Sequence, residues 1–319
     1  KDSSGVKTTF TTSDTAYTFS NLKNGKTYIL TVSAKDTQSG NVGISSKAFT
    51  ISPRYLGPKW YVGAGSDGTA KSSQSSDLEW GSKTSPINNL STALEVYASG
   101  DTIVMMKGTH TGSSNRGITI PNNSKPFVLT GDLDHAASET IIDANYRDRH
   151  FIFDGDQDST WVIQRITLYR GKASGSNWNS TGGSVRLNDS SSPFFKEVIF
   201  SENIDETNQY RNGGAIRVTD RARLLVEKCT FLKNEVISSD NSGSGGAINI
   251  EAAPINKKHY INASIFNGNR VRATYQVKGA AIYTNYAIDI TNSVFINNSL
   301  ISDESGAEGT IVYEGPGIV

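Results

Sequence analysis

One cysteine, Cys229, is all the chain has, so neither a disulfide framework nor a cysteine-based zinc site can form within it. Cys229 lies in the alternating run Val226-Glu227-Lys228-Cys229-Thr230-Phe231, which reads as a strand with a small buried thiol. No apolar run approaches the ~20 residues of a membrane span, so no transmembrane segment is expected here. An excess of one charge is missing too. Lys plus Arg is 31 and Asp plus Glu is 31, and without a basic stripe no nucleic-acid partner is expected. Only 19% of residues are charged, while Gly reaches 30 and Ser, Thr and Asn abound. That mixture suits a turn-rich β protein, since helical bundles draw on Ala, Leu, Glu and Lys. The four histidines, His110, His135, His150 and His259, show no metal-ligand spacing and read as surface or turn residues. There is no Gly-x-Ser-x-Gly elbow and no phosphate-binding loop. Lys1 follows no methionine or signal peptide, and no cap follows Tyr313, so the sequence reads as a C-terminally truncated piece.

What is present is a paired repeat. Gly182-Gly183-Ser184-Val185, Gly213-Gly214-Ala215-Ile216, Gly245-Gly246-Ala247-Ile248 and Gly279-Ala280-Ala281-Ile282 recur, with a weaker fifth copy at Gly309-Thr310-Ile311-Val312. Successive copies lie 31, 32, 34 and 30 residues apart. Between them fall Phe200-Ser201-Glu202-Asn203, Phe231-Leu232-Lys233-Asn234, Phe266-Asn267-Gly268-Asn269 and Phe295-Ile296-Asn297-Asn298. Leu168-Tyr169-Arg170-Gly171 reads as a worn copy of the second element. A fixed period in this range denotes a stacked array. Stacking places identical positions ~4.8 Å apart, so each must tolerate copies of itself. Gly-Gly then suits a corner of unusual dihedrals or close approach, and Ala and Ile fill a narrow core. Phe stacks on Phe, and Asn suits a left-handed corner whose amide bonds along a ladder. All of this concerns stacking, so recognition is expected in the loops between copies.

Ahead of the repeats, 60–168 carries short apolar strands bounded by Gly, Asn or Asp, which read as irregular early coils of one solenoid. Ser85-Pro86 reads as an N-cap with proline at the first helical position. Ile87, Leu90, Ala93, Leu94 and Tyr97 follow at helical spacing, and Gly100 closes the helix. Such a helix would cap the open end of the sheets. Residues 1–52 hold three strand patterns, at 16–19, 27–34 and 47–51, and 53–59 with Gly57-Pro58 reads as a linker.

These patterns carry resemblances. The N-terminal segment resembles part of a fibronectin type III domain on Leu22, Gly25, Tyr28, Val32 and Ala34, with Tyr28 as the tyrosine-corner residue. The opening of 60–319 resembles pectate-lyase-like proteins. The Gly-Gly-Ala-Ile and Phe-x-x-Asn pair resembles the repeat of the polymorphic outer membrane protein family of chlamydiae, spirochaetes and other bacteria. The resemblance implies an all-β right-handed parallel β-helix on the bacterial outer-membrane surface or secreted, adhesin-like rather than enzymatic. Its partner would be a host surface protein or a glycan, with any outer-membrane anchoring supplied by regions outside this chain.

Two other readings compete. The same solenoid serves polysaccharide lyases and hydrolases, and Asp143, Arg147, Asp148, Arg149, His150, Asp154, Asp156 and Asp158 form the densest polar cluster. Asp143, Arg149 and Asp154 are the candidate catalytic residues, against a plain reading as a solvated loop between strands. Asp154, Asp156 and Asp158 begin like a calcium loop, although Ser159 replaces the turn glycine and Arg165 stands where a bidentate Glu belongs. The third reading is a structural spacer. Trp178 and Tyr210, on polar insertions at 171–183 and 203–212, are the candidate ligand-binding aromatics.

Overall fold

The computed structural model describes residues 8–14, 16–19, 22–24, 26–65, 77–173, 181–206, 211–239, 241–252, 257–304 and 306–314. From Lys59 onward the chain winds as a right-handed parallel β-solenoid of about 6 turns. Three sheets run its length. Sheet I has eight strands, from Lys59–Val62 to Ile288–Thr291; sheet II has seven, from Gly108–His110 to Val294–Ile296. Sheet III also has seven, from Ile118–Pro121 to Ile311–Tyr313. In sheets I and II the middle residue of each three-residue strand points inward, whereas in sheet III the flanking residues do, as with Ile216 and Val218 around Arg217. Trp60, Ile103, Leu129, Ile163, Phe195, Val226 and Ile261 therefore form one buried column of sheet I. Sheet II contributes Phe200, Phe231 and Phe266, all fully buried, with Phe295 beyond them. Their rings stack at centroid separations of 4.8, 4.6 and 4.7 Å and within 7° of parallel.

The later coils add an excursion between sheets II and III. Four strands from Ile204–Asp205 to Ser299–Ser302 form sheet IV, and four from Arg211–Asn212 to Ala307–Glu308 form sheet V. This side wall has its own small core of Val236, Val271, Ala273 and Val277, separate from the main one. The two repeat elements mark its neck. The chain leaves sheet II at Phe-x-x-Asn and re-enters sheet III at Gly-Gly-Ala-Ile. In the first glycine of each pair φ is +86°, +79°, +66° and +59° at Gly182, Gly213, Gly245 and Gly279. The second glycine is crowded first by its own copy one coil on and then by the departing strand: a Cβ on Gly214 would lie 2.2 Å from the Gly246 carbonyl oxygen and 2.6 Å from the Glu235 amide nitrogen.

The asparagines form a continuous ladder. Asn203 donates from Nδ2 to Asn234 Oδ1 at 2.9 Å, Asn234 to Asn269 and Asn269 to Asn298, both also at 2.9 Å. Each Nδ2 also donates to the carbonyl of the Phe position one coil back. One expectation needs correcting. The left-handed residue is the one before Asn, with φ near +53° at Glu202 and Lys233 and +67° at Gly268. The Asn side chain is thereby turned inward to the ladder. Gly171 donates its amide to Asn203 Oδ1 at 2.7 Å, so it sits at the ladder's first position as the worn copy predicts.

The N-terminal cap is one short helix, Leu90–Val96, burying Leu90 and Ala93. It starts later than the sequence predicts. Ile87 bonds in extended form to Tyr61 and Gly63, so Asn89 takes the N-cap and accepts from the Thr92 amide at 2.9 Å. Before Pro53, the described residues give two strands, Tyr28–Leu30 and Phe49–Ile51, paired antiparallel. Ala16–Phe19 is not a strand; Tyr17 and Phe19 instead cluster with Phe10. Tyr28 Oη accepts from the Lys23 amide at 2.9 Å, whereas Val32 and Ile44 are exposed. The segment 53–59 is more than a spacer. Tyr55 packs edge-on against Trp60 at 5.6 Å, and Lys59 begins sheet I.

Candidate functional site

Where the side wall leaves sheet II, a groove of about 310 Å³ opens along the neck. Four successive coils line it, because the positions around each asparagine stack on one another. The first gives Glu202 and Ile204, the second Lys233, Asn234 and Glu235, the third Gly268 and Arg270, the fourth Ser299. Tyr146 contributes from an earlier coil. Glu202, Lys233 and Gly268 are the left-handed corner residues, so the corner throws the Glu202 and Lys233 side chains outward while Asn234 stays at the base.

The electrostatics are local pairs. Arg270 Nε donates to Glu235 Oε1 at 2.7 Å, and this bond holds the guanidinium pKa above its ordinary value. Tyr169 Oη donates to Glu202 Oε2 at 3.2 Å, and burial first, then the Glu202 charge, raises the phenol's pKa. Arg170 lies over the rings of Tyr169 and Tyr146, at 4.9 and 5.8 Å. Its Nε donates to Asp143 Oδ1 at 3.1 Å, and the Asp143 hydrogen bond is the main reason its pKa is raised. Tyr146 sits at φ +53° after Asn145 at +50°, an unusual backbone for a bulky residue. It is held there by its amide donating to the Arg170 carbonyl at 2.7 Å.

The residues read for lyase chemistry do not converge. Asp143 ends a strand of sheet II and is ion-paired to Arg170. Arg149 is 3% exposed, and its Nη1 is buried without a hydrogen-bond partner; burial chiefly lowers its pKa. Asp154 is exposed on sheet III, accepting from Asn188 Nδ2 at 3.1 Å. The stretch between Asp143 and Phe151 is only in part the solvated loop expected: it is a turn with Asn145 and Arg147 exposed, but its last two residues are not. Arg149 and His150 are buried, because His150 bonds the Ile142 carbonyl at 3.0 Å and Ser184 Oγ at 2.9 Å.

Nor do the three calcium candidates share a site. Asp158 accepts from Thr160 in a local turn, Asp156 is exposed, and buried Gln157 between them donates to the Ile120 and Pro121 carbonyls. Arg165 donates to Glu197 and to the His135 carbonyl. Among the described residues no three His, Cys, Asp or Glu side chains are grouped to hold a metal. Trp178 and Tyr210 lie outside the described residues. The histidine reading is corrected as well. His110, His150 and His259 are fully buried against backbone carbonyls, and burial lowers the pKa of His150 and His259 to about 4. Cys229 is buried as expected, its pKa pushed up to about 12 by desolvation.

Sequence reasoning missed the groove. Its lining comes from the second variable position of Phe-x-x-Asn and the residue just after it, not from the loops between copies. The signal was present in those positions, which stack in two columns yet differ in charge from coil to coil. Comparison with models of protein families, with curated proteins and with solved structures finds no match.

Proposed function

We propose that this chain is the β-helical part of a bacterial surface-exposed or secreted protein of the polymorphic outer membrane type. In this reading it is adhesin-like and takes its partner in the neck groove without transforming it. The observation that carries the reading is the groove itself, built from outward residues of the same repeat that closes the fold. A pure spacer has no use for a charged, four-coil trough with strained Tyr146 beside it. The lyase reading is disfavoured because Asp143, Arg149 and Asp154 occupy separate environments and Asp143 is already neutralised by Arg170. Glu235 is likewise committed to Arg270, which works against a role as proton donor.

The test is binding of the full chain to printed glycan and peptide arrays, compared with the double variant Glu202→Gly/Lys233→Gly. Gly268 occupies the same corner column, so glycine there leaves the fold intact. Loss of the bound signal in the variant supports the reading. Unchanged binding, or release of reducing ends from a polysaccharide that Asp154→Asn abolishes, rejects it.

A further inference from the structure

The geometry points to a neutral oligosaccharide as the ligand of the neck groove, with Tyr146 as its stacking platform. This rests on the reading of the groove as a binding site. The ligand class follows from three features of the lining. The first is charge balance. Glu202 and Glu235 face Lys233 and Arg270, two acids against two bases, so the groove offers no field that would select an acidic or a basic ligand.

The second is the scarcity of apolar purchase. Ile204 is the one aliphatic side chain in the lining, whereas carboxylate, ammonium, guanidinium and hydroxyl groups alternate along it. An apolar peptide anchor or lipid chain finds no pocket, while a polyhydroxylated ligand meets donors and acceptors at each coil. The wall also denies a peptide the usual backbone docking. The groove crosses successive strands of sheet IV, and the strands carrying Glu235 and Arg270 are paired on both sides in the parallel ladder, so the middle of the trough offers no free sheet edge.

The third is Tyr146. Tyr146 is half-buried and lines the trough, and the ring face that Arg170 does not cover would suit the C–H face of a pyranose stacked between hydroxyl contacts. The chain holds this ring in a left-handed backbone that disfavours large side chains, and Arg170 stands over the ring. The groove's coil-to-coil repeat of ~4.8 Å is on the order of the length of one sugar ring, so an extended chain of rings can follow it coil by coil. Its volume, about 310 Å³, fits a short segment rather than a folded partner.

Calorimetric titration of the full chain tests this with three probe sets: cello- and xylo-oligosaccharides, oligogalacturonate, and a set of charged and uncharged octapeptides. The expected result is binding of at least one neutral set that weakens on the order of tenfold in Tyr146→Gly and in Glu202→Gly. Tyr146→Gly should keep the thermal midpoint, because glycine relaxes the left-handed position. A Tyr146 that is merely structural would lower the midpoint and leave affinity alone, overturning the proposal. Binding of oligogalacturonate or peptides alone, lost in Glu202→Gly, would overturn the neutral-sugar assignment and keep the groove as the site. Binding insensitive to both variants, or no binding of any probe, would overturn the groove reading as well.

Discussion

Replacing Asn234 by alanine tests how much of the fold rests on the asparagine ladder. Asn234 is fully buried and mid-ladder. Its Nδ2 donates to Asn269 Oδ1 at 2.9 Å and to the Phe200 carbonyl at 3.0 Å. Its Oδ1 accepts from the Asn203 amide at 3.1 Å and from Asn203 Nδ2 at 2.9 Å. Alanine removes all of these. Asn203 Nδ2 keeps the Leu168 carbonyl and Asn269 Oδ1 keeps the Asn234 amide, so those two groups are only partly deprived. The Asn203 amide loses its partner outright, whereas the Phe200 carbonyl lies in the sheet II ladder and loses only its second bond. With ~1–3 kcal/mol for the buried amide left unsatisfied and ~1 kcal/mol for the remaining lost bonds, the cost is about 2–4 kcal/mol. Asn298 is the internal control. It is half-buried on the last rung, where water replaces the lost bonds, and Asn298→Ala should cost only about 1 kcal/mol. Urea unfolding followed by far-ultraviolet circular dichroism reads both. A stacked array need not unfold in one step, so the whole transition is compared rather than a single midpoint. A loss below ~1 kcal/mol for Asn234→Ala, or equal losses at both positions, refutes the ladder argument.

Two further outcomes follow from burial. His150 and His259 are held neutral with pKa values of about 4, below the unfolded value of 6.5. The unfolded chain therefore binds more protons between those limits, and this contribution to stability is full above pH 6.5 and is lost as pH falls toward 4. The urea midpoint should decline from pH 7 to pH 5, with a shallower slope in His259→Gln; a flat or rising midpoint over that window contradicts the assignment. Cys229, buried and with its pKa near 12, should resist alkylation by iodoacetamide in the folded chain and react once urea unfolds it. Rapid native-state labelling would place the thiol at the surface.

Most of the solenoid was readable because stacking makes each coil repeat its neighbour's constraints. Gly-Gly, Ala-Ile and Phe each had one physical job, and the structure gives each that job. The Asn corner was read one residue late, since sequence alone does not say which side of a left-handed residue the buried amide falls on. The helix start was misplaced because Ile87 pairs with Tyr61 and Gly63 across the chain, a contact that outweighs the local Ser-Pro signal. The histidines misled for a similar reason: carbonyls at coil corners satisfy buried imidazoles, and those carbonyls are placed by the winding. The groove was the least legible part. Glu202, Lys233, Glu235 and Arg270 share no pattern of type, and only the side wall's departure from sheet II turns their columns into one trough.

A crystal structure of the full chain soaked with cello- or xylo-oligosaccharides is the most direct measurement. The account predicts sugar density along the neck, against Tyr146 and between Glu202, Lys233 and Arg270. Density instead on sheet III beside Asp154 and Asp156, with the neck empty, would contradict it and return the enzymatic reading to the front.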